Sequence, residues 1–118
     1  NDEYAVLESF ITHQRRAIEA DDFKSVRSID MNFHRYLIEQ SQHTLLIRSW
    51  EELVAQVAAL LYMRQEAFPE YDEYRAIRDH TSIVDAYRQR DLPSIFAANR
   101  RINDRVSGEC VDSIKRLK

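Results

Sequence analysis

Phe23-Lys24-Ser25-Val26-Arg27-Ser28-Ile29-Asp30-Met31-Asn32-Phe33-His34-Arg35-Tyr36-Leu37-Ile38-Glu39-Gln40 is the stretch that decides how this chain is read. Phe23, Val26, Ile29, Phe33 and Leu37 recur every three or four residues. That spacing lines one face of an α-helix and not one face of a strand. Asp21-Asp22, just ahead, supplies N-cap chemistry. Asp30, His34 and Ile38 form a second line beside the apolar stripe, one turn apart. A carboxylate and an imidazole on such a shoulder read either as a helix-surface ion pair or as two ligands of a divalent metal. In the second reading a third ligand comes from another helix.

Working outward, the same periodicity predicts four further helices. The first spans about Asp2–Ala20, with Tyr4, Leu7, Ile11 and Ile18 as its stripe and Val6 and Phe10 beside it. Ser41-Gln42-His43-Thr44 is a connection. The third helix spans about Leu45–Ala67, striped by Leu46, Trp50, Leu53, Val57 and Leu60 and ending in line at Arg64. Phe68-Pro69-Glu70-Tyr71-Asp72 is a loop. The fourth helix spans about Glu73–Arg90, with Ile77, His80, Val84 and Tyr87 facing inward. Asp91 caps the fifth, Pro93 fits its first turn, and its stripe is Ile95, Asn99, Ile102, Val106, Cys110 and Ile114.

Composition supports an all-α fold. Gly108 is the only glycine, and Pro69 and Pro93 are the only prolines. A sheet protein of 118 residues needs many tight turns and the residues that make them. The length fits one domain, and 44% hydrophobic with 31% charged residues is the balance of a soluble globular chain. A net charge of −3 without a basic stripe makes this segment a poor direct reader of DNA or RNA. No apolar run approaches the roughly 20 residues of a membrane span. Cys110 has no partner for an internal disulfide, which favours a reducing, cytoplasmic location. No signal peptide is evident, and a start at Asn1 reads as a piece of a longer protein.

His80 must satisfy two ring nitrogens in an apolar stripe, as a hydrogen-bonded core histidine or as a ligand. With Asp30 and His34 it makes two imidazoles and a carboxylate, a workable metal set inside a helical bundle. Arg64 reads as a clamp for a ligand carboxylate or as a terminal arginine that reaches water. Asn99 and Asn103 are polar residues near the fifth helix's stripe that contact a ligand, backbone or solvent. His13 and His43 read as surface or loop residues, and Trp50, the tyrosines and Cys110 as core. No Ser-His-Asp set, phosphate-binding glycine loop or CxxC is present. No catalytic residue is assigned.

Asp30-Met31-Asn32-Phe33-His34-Arg35-Tyr36-Leu37 resembles the Asp-x-x-Phe-His-x-x-Leu segment of the FCD effector-binding domain of GntR-type bacterial transcription regulators. Ser41-Gln42-His43-Thr44-Leu45-Leu46 is similar to that family's Ser-Gly-Asn-x-x-Leu, with His43 where Asn is usual. The stretch from Asp79-His80 through Ile83 and Ala86 to Arg90-Asp91 is similar to its Glu-His-x-x-Ile-x-x-Ala-x-x-x-Gly-Asp. The resemblance implies an antiparallel helical bundle with a central ligand cavity, and a homodimer. It also implies a winged-helix DNA-binding domain N-terminal to this segment and absent from it, through which alone the protein meets DNA. A metal held by Asp and three His would help bind a small carboxylate effector.

Carried over, Asp30, His34 and His80 match three of those ligands; Arg64, Asn99 and Asn103, read from the stripes, are the effector candidates. The fourth ligand would lie about twenty-two residues beyond His80, where this chain has Ile102. Three readings stay open. The metal (zinc, nickel or manganese) binds through three protein ligands, or Asn99 or Asn103 substitutes weakly, or the site is vestigial. The reading adopted is a retained but weakened metal site in a sensor without catalysis. A small metal-dependent helical enzyme and a helical interaction module with a vestigial site are the alternatives.

Overall fold

A computed structural model describes residues 2–118. It is all-α among those residues: α1 Asp2–Glu19, α2 Phe23–Gln40, α3 Thr44–Ala67, α4 Tyr74–Gln89 and α5 Leu92–Leu117. The expected order and number of helices hold, with ends shifted by a residue or two. The chain divides into two compact units, Asn1–Tyr62 and Met63–Lys118, the division falling within α3.

In the first unit α1 packs on α2 as a helical hairpin. Leu7, Ile11, Ala17 and Ile18 of α1 are buried, as are Val26, Met31 and Phe33 of α2. The turn between them closes with the Asp21 and Asp22 amides donating to Ile18 and Ala17 carbonyls. Asp22 then caps α2: its carboxylate accepts from the Ser25 amide at 3.2 Å and the Ser25 hydroxyl at 2.7 Å. Those two bonds hold the Asp22 carboxyl below its ordinary range. Gln14 is fully buried on the inner face of α1, and its amide donates to the Val26 carbonyl at 3.4 Å. A hydrophobic-stripe reading passes over a glutamine, so it missed this core residue.

One expected stripe and two expected core tyrosines need correction. On α3, Leu46 and Leu53 are 47% and 52% exposed, and Leu61 is buried instead. Several overlapping apolar lines run along α3, and the half-buried one passes through Ile47, Trp50, Val54, Val57 and Ala58 before Leu61 and Arg64. Hydrophobicity alone does not choose between such lines. Tyr62 and Tyr74 are likewise exposed, not core. Tyr62 is held at the surface by the Arg27 guanidinium, 5.0 Å above its ring.

In the second unit α4 packs on α5. Ala76, Ile77, His80, Ile83, Val84 and Ala86 of α4 are buried, as are Ala98, Ile102, Cys110 and Ser113 of α5. Asp91 stands at the α5 N-cap as expected, but its carboxylate accepts the Ser94 hydroxyl and no backbone amide. Asp21, Gln42 and Arg90 adopt left-handed backbone at φ 54°, 56° and 53°. Those are the positions where helices end, and glycine would serve them at lower cost. The one glycine lies instead inside α5, where a Cβ added to Gly108 meets nothing within 4 Å.

Candidate functional site

Successive turns of α2 bring Asp30 and His34 together. His34 Nε2 lies 3.2 Å from Asp30 Oδ1, with both side chains only partly exposed. Phe33, fully buried, meets the His34 ring edge-on at a centroid distance of 5.4 Å. Trp50 of α3 flanks the same ring at 6.1 Å. Packing on two sides therefore fixes the imidazole beside the carboxylate. The one-turn spacing read from the sequence is realised in geometry and places an imidazole nitrogen and a carboxylate oxygen next to each other.

His80 is 3% exposed on the inward face of α4, as its place in the stripe predicts. Asp30, His34 and His80 each offer one ligand atom of a type that binds borderline divalent cations. This donor set fits such a metal. Ile102, where the resemblance would put a fourth ligand, is a buried apolar residue on α5. Asn99 stands half-buried one turn away, its amide donating to the Ile95 carbonyl at 2.9 Å. Asn103 is exposed, beside Phe96, Ala97, Arg100 and Asp104 along an open groove on α5.

Arg64 neither snorkels to water nor stands ready with every donor free. It is 6% exposed. Its guanidinium donates to Glu109 Oε1 at 3.0 Å, lies 4.0 Å from Glu73, and sits over the Tyr71 ring at 3.9 Å. Glu109 is the hub of this unit. It also accepts from Tyr71 Oη–H at 2.8 Å, Arg75 at 2.9 Å and Arg105 at 3.2 Å. Arg105 in turn makes a two-pronged pair with Asp79, whose hydrogen bonds push its pKa further up. The Arg64 Nε–H has no hydrogen-bond partner among the described residues. Sequence reasoning found Arg64 but not Glu109, because of its three basic partners only Arg105 shares α5 with it, and Arg64 and Arg75 come from other segments.

Burial, above all, pushes the Tyr71 phenol up to about 12. The Arg64 charge opposes the shift and the bond to Glu109 adds to it. The folded protein therefore keeps this proton across a range where an unfolded tyrosine, at about 10, has lost it. Stability from Tyr71 is complete below about pH 10 and is lost as pH rises towards 12. Thermal melts from pH 9 to 12 should show a steeper fall for the wild type than for Tyr71→Phe. Parallel curves would mean that the phenol titrates normally.

The same local geometry decides how Cys110 and His43 are read. Burial pushes the Cys110 thiol up, which keeps it protonated and fits a core residue, not a nucleophile. His43 is exposed, but its Nδ1 accepts the Leu46 amide at 3.3 Å and its carbonyl accepts from Ile47 at 3.0 Å. It thus caps α3, the service an Asn side chain gives at a helix start.

No helix among the described residues is long and apolar enough to cross a membrane. Neither the search of curated proteins nor that of solved structures returned a match. The family model described as the FCD domain matches residues 1–105. With nearly all of its length matched, the chain belongs to the FCD domain family.

Proposed function

We propose that this chain is the ligand-sensing part of a GntR-type bacterial transcription regulator, and that Asp30, His34 and His80 hold a divalent metal in it. The observation that carries this reading is the Asp30–His34 pair, fixed at 3.2 Å in a chain of the FCD family. His80, buried on α4, supplies the third donor. When bound, the metal supplies open coordination positions to a small carboxylate effector. With Ile102 in the fourth position, more of the coordination sphere is left to that effector or to water.

Arg64 contributes the second contact. Its Nε–H is a buried donor with no hydrogen-bond partner among the described residues. An unmade bond of that kind costs about 1–3 kcal/mol. An effector carboxylate recovers that cost by accepting there. Asn99, half-buried on α5, is the polar neighbour proposed to orient the acid. Asn103 stands on the exposed side of α5 and is not carried further in that role. The effector regulates by binding one arrangement of a homodimer better than another, and so places the two DNA-binding domains.

Thermal melts of the chelator-treated chain test this directly. Zinc, nickel or manganese at about a hundred times its Kd stabilises by about 2.7 kcal/mol. For a chain of this length that is a rise in Tm on the order of 10 °C. Small organic acids should add to it. Asp30→Ala and His80→Ala should abolish the metal-dependent rise. A rise that survives both substitutions, or no rise with any of the metals, refutes the site.

A further inference from the structure

Trp50 is the chain's only tryptophan, and it stands in the same compact unit as Asp30 and His34. Its ring is half-buried and lies 6.1 Å from the His34 imidazole, tilted by 42°. Its Nε1–H is closed to solvent and has no hydrogen-bond partner among the described residues. Ile47 and Val54, one turn before and after it on α3, are apolar and offer no acceptor. Packing against His34 accounts for the ring but not for that N–H. A buried indole ordinarily finds an acceptor, because an unmatched donor loses its hydration with nothing in return. Phenylalanine would cover the imidazole without that loss.

We propose that the Trp50 Nε1–H is a binding donor for the effector, and that it selects acids with a second oxygen on the carbon next to the carboxylate. Those are 2-hydroxy and 2-oxo acids. The inference rests on the sensor reading and sharpens it. By that reading the carboxylate itself goes to the metal and to Arg64. Charged donors suit a carboxylate best, whereas an indole is uncharged and can only donate. It therefore matches a neutral acceptor, a hydroxyl or keto oxygen. Trp50 flanks the imidazole proposed to hold the metal, so the oxygen it meets lies near the metal-bound end of the acid and not at its tail. Because the N–H is closed to solvent, an acceptor reaches it only as the indole turns. The emission of the sole tryptophan then reports the event directly.

Propionate, lactate and pyruvate are the probes, three-carbon acids that differ only at the carbon next to the carboxylate. Each is titrated by calorimetry into the zinc-treated chain, with tryptophan emission followed in parallel. The wild type should bind lactate or pyruvate more tightly than propionate, with an emission shift that propionate does not give. Trp50→Phe keeps an aromatic ring on His34 and removes the N–H. It should lower the preference for the oxygenated acid over propionate on the order of five- to tenfold, the net worth of one hydrogen bond. Its affinities for zinc and for propionate should match the wild type's. An unchanged preference in Trp50→Phe overturns the role of Trp50 and leaves the sensor reading standing. So does a variant whose main loss is zinc affinity, since ring packing on His34 would then be the whole of its part. A wild-type chain that takes up zinc but none of the three acids overturns the acid class. One that takes up neither zinc nor acid overturns this inference and the sensor reading together.

Discussion

Glu109→Ala should lower the unfolding free energy by roughly 3–5 kcal/mol, the cost of removing one partner from a buried ion pair. Three guanidinium groups converge on this carboxylate, but they do not count equally. The Arg75 side chain is 46% exposed and that of Arg105 35%, so water solvates both once the carboxylate is gone. Exposed pairs contribute about 0–1 kcal/mol. Arg64 is different: its side chain is 7% exposed, and its remaining carboxylate, Glu73, is 4.0 Å away. The loss is carried by that stranded charge and by the Tyr71 hydroxyl, whose acceptor also disappears.

Urea denaturation checks the size of the effect. The midpoint should fall with the slope unchanged, as for a change in stability without a change in the surface exposed. Glu109→Gln keeps an acceptor for Tyr71 and should fall less. Arg75→Ala should move the midpoint by under about 1 kcal/mol. A Glu109→Ala effect as small as that of Arg75→Ala would make the whole cluster surface chemistry.

The two halves of the chain were legible to different degrees, for reasons visible at single residues. Helix periodicity shows wherever one apolar line dominates. Val26 and Phe33 on α2, and Ile77, His80 and Val84 on α4, fall where the repeat puts them. It fails on α3, where Leu46, Leu53 and Leu61 lie on competing lines and tertiary packing selects only the last. It is blind to Gln14, because full burial of an amide depends on one acceptor, the Val26 carbonyl, on another helix. The Asp30–His34 pair was legible because both residues share one helix, so spacing alone sets their distance. The Glu109 cluster was legible only in part: Arg105 lies one turn before it on α5, but Arg64, Tyr71 and Arg75 are brought to it by the fold. His43 shows the limit from the other side. Its residue type departs from the pattern of the resemblance, yet its ring nitrogen does the capping.

Ile102→His is expected to change sign with the metal. Without metal, the substitution exchanges a buried apolar side chain for an imidazole with two polar nitrogens. Burying such a group without partners costs about 1–3 kcal/mol, and the lost isoleucine packing adds to it. The chelator-treated variant should therefore melt below the wild type. With metal, the proposed site would gain this imidazole as a fourth protein ligand beside Asp30, His34 and His80. Affinity should rise on the order of tenfold or more, each decade being about 1.4 kcal/mol. The variant's Tm should then climb further on metal addition than the wild type's, by the mass-action relation between affinity and stability. The effector should gain less, because an added protein ligand occupies a position that the three-ligand set leaves to it. Titration calorimetry with the metal, followed by melts with and without a carboxylate, reads all of these changes. If Ile102→His lowers stability equally in both conditions and leaves metal affinity unchanged, position 102 does not face the proposed ligands. The correspondence with the fourth ligand would then be one of sequence register alone.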